Sequence, residues 1–304
     1  MSSRNEPISK LKPRWQYYFE LTRLGGFPFG TQFIFWPSAW GVGMAAYSKD
    51  LPMESFITHT VMFALGSTVL HAAACVLNDI CDRHIDRKVE RTKHRPLASG
   101  VVSVSGATAL LFSFLSATLV MLSFANSDVF MYALVGIFPL HGLYPLMKRW
   151  TSWPQIWLGL AMGWGLFPGW ISVNQNLKYD VIGVFYLGSV CWTVVYDTIY
   201  ACQDRKDDLR AGVGSAAVIL GSWVRPILAI FASTFIACMI YAGIHNHNGP
   251  YFFTVSVGGA ALFFLWVFST WKVDDNEDCL SKITANGNMG VIIWSGIFLD
   301  YYLK

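Results

Sequence analysis

Apolar stretches of about twenty residues, almost free of charge, recur nine times along the chain. They lie at approximately 27–47, 55–77, 101–125, 129–147, 153–174, 181–201, 222–244, 251–271 and 287–303, the last being the shortest. A helix needs roughly 20 predominantly apolar residues to cross the hydrocarbon core of a bilayer. The pattern therefore predicts an all-α, polytopic membrane protein with about nine transmembrane helices. The connections are short and polar, and only Lys272 to Gly287 is long and polar enough to read as a surface loop. With no soluble domain or further repeat between them, residues 1–304 read as a single membrane domain.

Composition agrees: 54% of the residues are hydrophobic, 16% aromatic and only 13% charged, and the mean hydropathy is +0.42. Soluble domains carry roughly 25% charged residues. The six cysteines (Cys75, Cys81, Cys191, Cys202, Cys238, Cys279) form no CxxC pair and read as small buried hydrophobes. Trp36, Trp40, Trp157, Trp164 and Trp170 are expected mostly to face lipid or the interface, with a minority lining an apolar tunnel. Residues 1–14 are polar and resemble neither a signal peptide nor a mitochondrial transit peptide. Insertion through the first span, into the endoplasmic reticulum of a eukaryotic cell, is the expectation.

Charge distribution supplies the orientation. Of the 22 Lys and Arg, 18 fall on one side of the expected topology: five in the N-terminal segment, six from Arg83 to Arg95, Lys148 and Arg149, three from Arg205 to Arg210, and Lys272 and Lys282. The opposite loops hold only Lys49 and Lys178. Because short cytoplasmic loops collect basic residues, the N-terminus is expected in the cytosol and the C-terminus across the membrane.

Two acidic segments sit at the cytosolic ends of apolar stretches. In the first, Asn78, Asp82 and Asp86 recur every four residues and share a helical face. In the second, Asp197, Asp204 and Asp208 are spaced by seven and four and again share a face, whereas Asp207 points elsewhere. Like charges so placed repel, and hard oxygen ligands at this spacing suit Mg²⁺ bridging to phosphate. Carboxylates at membrane depth are costly and usually functional. Arg91, Lys93 and Arg95, with Lys148 and Arg149, supply cations suited to a diphosphate. The seven histidines form no HxxxH or HExxH pattern, so metal binding through histidine is not expected. A secondary transporter also buries acidic residues, but its sites lie near the bilayer midplane. A scaffold or sterol sensor needs no paired metal faces.

These residues resemble the UbiA superfamily of intramembrane aromatic prenyltransferases. Asn78-Asp79-Ile80-Cys81-Asp82-Arg83-His84-Ile85-Asp86 resembles its NDxxDxxxD motif, and Glu90 to Gly100 the ERTKxRPLxSG run of the 4-hydroxybenzoate polyprenyltransferase branch. Asp197 through Tyr200, Asp204 and Asp208 to Gly212 and Ser215 resembles DxxYAxxDxxxDxxxGxxS. Tyr144 to Arg149, followed by Pro154-Gln155 and Gly159-Leu160, is similar to YPxxKRxxxxPQxxLGL. The resemblance implies helices around a central cavity and Mg²⁺ held by Asn78, Asp82, Asp86, Asp204 and Asp208. It implies a catalytic acidic set of Asp82, Asp86, Asp197, Asp204 and Asp208, and a diphosphate site of Arg91, Lys93, Tyr144, Lys148, Arg149 and Tyr200.

The expected partners are a prenyl diphosphate, farnesyl diphosphate first, a phenolic aromatic acid and the lipid bilayer, with no nucleic acid. The sequence departs from the branch where Gly25-Gly26-Phe27 lacks a family lysine and where Gly214 replaces another. With these departures it looks more like fungal farnesyltransferases of meroterpenoid pathways, acting at the cytosolic face of the endoplasmic reticulum. Ubiquinone-pathway 4-hydroxybenzoate polyprenylation is the alternative.

Overall fold

The structure is a computed structural model that describes residues 12–205 and 215–304, without the side chain of Lys148. Asp207, Asp208, Gly212 and Gly214 lie outside the described residues. Every element of the described residues is helical. A short helix α1 (Arg14–Leu21) precedes the long α2 (Thr31–Lys49), α3 (Met53–Asp86) and α4 (Val104–Leu122). α5 (Ser127–Val135) runs through a π turn at Gly136–His141, where Pro139 withholds a backbone donor, into α6 (Gly142–Trp150). α7 (Pro154–Gly163) and α8 (Leu166–Val173) are two halves of one expected span. They are followed by α9 (Tyr179–Ala201), α10 (Ala216–Leu220), α11 (Val224–His245), α12 (Gly258–Thr270) and α13 (Asn276–Tyr302). Seven helical stretches among the described residues are long and apolar enough to cross a membrane. α2 and α13, of 19 and 27 residues, are not among the seven and carry more polar residues, Gln32 and Ser38 in one and Asn286 and Asp300 in the other.

Local sequence fixes several helix ends. Ser103 and Asn126 cap α4 and α5 by accepting hydrogen bonds from the amides of Gly106 (3.1 Å) and Val129 (2.8 Å). Asp275 does the same for α13, accepting from Glu277 (3.0 Å) and Asp278 (3.2 Å). This cap corrects the expectation of a surface loop from Lys272 to Gly287. With acidic residues in the first turn and Asp278 four residues before Lys282, whose Nζ lies 3.2 Å away, the polar segment begins a helix at Asn276.

Aromatic packing corrects a second expectation. Trp40 and Trp170 are fully buried. Trp40 lies 5.1 Å from Trp192 and 5.6 Å from Phe185, ring to ring. All five tryptophans expected at the lipid donate their indole N–H to a backbone carbonyl: Trp36 to Gly287, Trp40 to Gly290, Trp157 to Leu140, Trp164 to Tyr132 and Trp170 to Asn176. Buried in a bilayer protein, an indole needs such a partner, and helix ends and glycine-rich stretches expose one.

Lipid is as apolar as a core side chain, so helix association rests on close packing. α2 crosses α8 closely enough that a Cβ on Gly41 would sit 2.4 Å from the Leu166 carbonyl oxygen, and one on Gly169 2.3 Å from that of Ser38. At its start α2 meets the middle of α3, where the Thr31 hydroxyl lies 3.2 Å from His71 Nδ1.

Candidate active site

α3 has 34 residues, roughly 50 Å at 1.5 Å per residue, against a hydrocarbon core of about 30 Å. The helix is therefore long enough to extend beyond the hydrocarbon core, and Asn78 to Asp86 occupy its final turns. Asp79 is 2% exposed and is gripped by Arg23, whose Nη2 donates to both carboxylate oxygens at 2.8 and 3.0 Å. Arg23 is held in the left-handed region at φ 58°, a conformation unusual for a non-glycine residue. Arg95 bridges Asp79 (3.2 Å) and Asp86 (3.0 Å). The chain after α3 folds back to permit this: Arg87 Nε donates to the Ala98 carbonyl at 2.7 Å, and the Thr92 hydroxyl to that of Asp86 at 3.0 Å.

The same returning segment reaches the second acidic stretch. Arg91 donates to Asp204 from Nε (2.9 Å) and Nη2 (2.5 Å) and to the Tyr200 hydroxyl from Nη1 (3.0 Å). Its guanidinium also lies 5.2 Å from the centre of the Tyr200 ring. Burial alone would work against its charge, but the hydrogen bond to Asp204 and the nearby Tyr200 and Asp86 hold Arg91 more firmly protonated than usual.

Both stretches face one cavity of ≈ 680 Å³. Its rim is charged: Asp86, Arg91, Arg95, Asp204 and Arg23. Fifteen residues down α3 from Asp86, roughly 22 Å along the helix, the floor is uncharged and formed by His71, His141, Met162 and Phe33. There His71 Nδ1 meets the Thr31 hydroxyl at 3.2 Å, and its Nε2 meets the Cys75 thiol at 3.4 Å. A second cavity of ≈ 340 Å³ shares His141 and Met162 with the first and continues between α3, α4, α5 and α8 past mainly apolar side chains such as Met62, Phe63 and Leu70.

An intramembrane helical bundle with an acidic and arginine-rich cavity at one end invites comparison with known proteins. Residues 34–290 match the UbiA prenyltransferase family. The chain belongs to that family. Like its members it is a membrane-bound prenyltransferase. It is 41% identical over 300 residues to the UbiA prenyltransferase claS of Ampulloclitocybe clavipes, covering 98% of this chain and 94% of the relative. It is 39% identical over 293 residues to the mitochondrial 4-hydroxybenzoate polyprenyltransferase of Schizosaccharomyces pombe, covering 96% and 81%. Its fold is similar to a UbiA homolog from Archaeoglobus fulgidus bound to GPP and Mg²⁺, with a TM-score of 0.69 at 17% identity, covering 94% of this chain and 99% of that one.

Within this UbiA prenyltransferase the cavity gathers Asn78, Asp86, Arg91, Tyr144, Asp197, Tyr200 and Asp204. Other expected site residues lie elsewhere. Asp82 is 1% exposed and does not line the cavity. Lys93 pairs with Glu90 at 2.6 Å outside it. Arg149 is exposed and donates to the Cys81 carbonyl at 2.8 Å on the flank of α3. Lys148 has no described side chain, and Asp208 lies outside the described residues. No three His, Cys, Asp or Glu among the described residues are grouped closely enough to hold a metal ion by themselves.

Sequence reasoning passed over Asp79, Arg23 and Gln155. Asp79 was recoverable, because Asp79 and Asp86 are seven residues apart and so share a helical face. The pairing of Arg23 with Asp79, 56 residues away, left no local signal.

Proposed function

We propose that this prenyltransferase transfers a farnesyl group from farnesyl diphosphate to a ring carbon of a polyketide-derived phenolic acid, in the biosynthesis of a meroterpenoid. The observation that carries the reading is the convergence of two acidic segments and three arginines on one cavity that runs, at an uncharged floor, into an apolar one. A prenyl diphosphate has that same division, an anionic head on an apolar tail. The relatives named 4-hydroxybenzoate polyprenyltransferases support an aromatic acceptor.

Hard carboxylate and amide oxygens with arginines close by fit a magnesium–diphosphate pair. Asn78, Asp86 and Asp204 would hold Mg²⁺, with Asp82 and Asp208 expected in the same set, and the ion would neutralise charge on the departing diphosphate. Arg91, Arg95 and Arg23 add fixed positive charge at the rim where that group gains negative charge as the allylic C–O bond breaks. Bidentate guanidinium groups also orient the head. The apolar floor keeps water from the prenyl cation, so the ring carbon captures it, and Asp197, which lines the cavity, would assist deprotonation of the phenol.

The cavity mouth supports a bulky acceptor. Gly25 and Gly26 line it where the branch has a lysine, and a Cβ on Gly26 would meet nothing within 4 Å. The same reading makes α2 and α13 the two remaining spans of nine, with the charged cavity facing the cytosol from the endoplasmic reticulum. Co-localising the tagged chain with reticulum and mitochondrial markers tests that placement.

The similarity to several 4-hydroxybenzoate polyprenyltransferases favours ubiquinone-type polyprenylation as a second reading. Parallel assays of orsellinic acid and 4-hydroxybenzoate, each with farnesyl and a long polyprenyl diphosphate, separate the two. Higher kcat/KM for orsellinic acid with farnesyl diphosphate supports the first, and higher kcat/KM for 4-hydroxybenzoate with the long chain supports the second.

A further inference from the structure

Four buried polar atoms on residues lining the charged cavity have no hydrogen-bond partner: Oε1 of Gln155, the hydroxyl oxygens of Tyr196 and Ser215, and Nε2 of His141. The residues that carry them are 2, 2, 5 and 8% exposed, respectively. Native folds leave few such groups, because a buried polar atom without a partner forfeits its hydration and gains nothing in return. Other polar groups of the cavity have partners: His71 reaches Thr31, Arg91 reaches Asp204 and Asp86 reaches Arg95. The four residues share the lining of this cavity, while buried atoms without a partner also occur away from it, on Thr198, Asn246 and Trp294.

Their chemistry selects that molecule. His141 Nδ1 lies 2.8 Å from the Gly136 carbonyl oxygen, so in the neutral ring Nδ1 carries the hydrogen and Nε2 is left as an acceptor. Gln155 Oε1 is a second acceptor, and its amide turns about a soft terminal torsion to present either end. Tyr196 offers a hydroxyl able to donate or accept, and its ring stacks on Phe33 with centroids 4.2 Å apart, a flat apolar surface at the cavity wall. None of these groups is a formal cation or anion. We infer that they form an uncharged subsite that receives the hydroxylated aromatic acceptor, whose phenolic hydroxyl donates to His141 Nε2 or to Gln155 Oε1, while the charged rim is left to the diphosphate.

The inference rests on the aromatic prenyl-transfer reading and adds the residues that choose the acceptor. A site built to bond a hydroxyl discriminates strongly against an analogue without it, because its own polar groups then stay unpaired. The test uses the full-length protein in liposomes and measures KM separately for prenyl diphosphate and for phenolic acids paired with their O-methyl ethers. Gln155→Leu and Tyr196→Phe, which keep approximate volume, are expected to raise the acceptor KM about tenfold, to weaken the preference for the free phenol, and to leave the prenyl diphosphate KM within about twofold. Acceptor KM and phenol preference unchanged in both variants, or a rise shared equally by the two substrates, would overturn the subsite. Tyr196→Phe removes one oxygen and decides the matter if Gln155→Leu fails to fold. Failure of the underlying reading has a different signature, in which the wild-type protein prenylates no aromatic ring at all and the subsite falls with it.

Discussion

Arg91 joins the two acidic segments, its guanidinium gripping the Asp204 carboxylate through two hydrogen bonds of 2.9 and 2.5 Å from a loop that belongs to the other segment. The bond closes one side of the cavity, and it places a cation where a diphosphate would compete for it. Replacement by lysine keeps the charge but loses the planar fork. Arg91→Lys is therefore expected to raise the KM for prenyl diphosphate by about tenfold, and Arg91→Ala by more, with little change in the acceptor KM. Equal effects on both substrates would show that Arg91 serves only the fold.

Asp79 is the buried partner of two arginines that are themselves partly exposed, at 30 and 22% of their side-chain surface. Removing one member of a buried pair costs several kcal/mol when its partners stay dry, and solvent around Arg23 and Arg95 reduces that here. Asp79→Ala is expected to destabilise the detergent-solubilised protein by about 2 kcal/mol, read as a lower thermal midpoint by tryptophan fluorescence. An unchanged midpoint would remove Asp79 from the structural frame of the rim.

Chelation of divalent ions by EDTA is expected to abolish turnover, with recovery on adding Mg²⁺. Asp86→Ala, Asp204→Ala, Asp82→Ala and Asp208→Ala should each lower kcat by about a hundredfold or more while the protein still inserts and folds. Near-normal turnover in a folded Asp86 or Asp204 variant would contradict the metal assignment.

The crossing of α2 and α8 leaves no room for a side chain at Gly169. Gly169→Val should lower stability by about 3 kcal/mol or prevent folding, since backbone, not a movable side chain, stands in the way. A thermal midpoint equal to wild type would mean that the crossing is looser than described.

What was legible in the sequence follows from what kinds of signal a sequence carries. Apolar length gave the helices, and four-residue spacing put Asn78 and Asp86 on one stretch of α3, because both are local, although Asp82, assigned to the same face, does not line the cavity. The start of α13 was legible too, in Asp275 with Glu277 and Asp278 behind it, but the polarity of that segment was read as a loop. Contacts that close across the chain were not legible: Arg23 with Asp79, Arg91 with Asp204, and the indoles of Trp36 and Trp40 with carbonyls 250 or more residues away. Gln155 falls within an apolar stretch of the sequence, and only packing shows that it is buried against the cavity.

The most direct test of the central claim is product formation by the purified protein in liposomes, supplied with labelled farnesyl diphosphate, Mg²⁺ and a panel of phenolic acids. The expected result is label transferred to a ring carbon of an orsellinic-acid-type acceptor, lost on EDTA treatment and in Asp204→Ala. A folded protein that transfers no label to any phenolic acid, with any prenyl chain length in the presence of Mg²⁺, would contradict it.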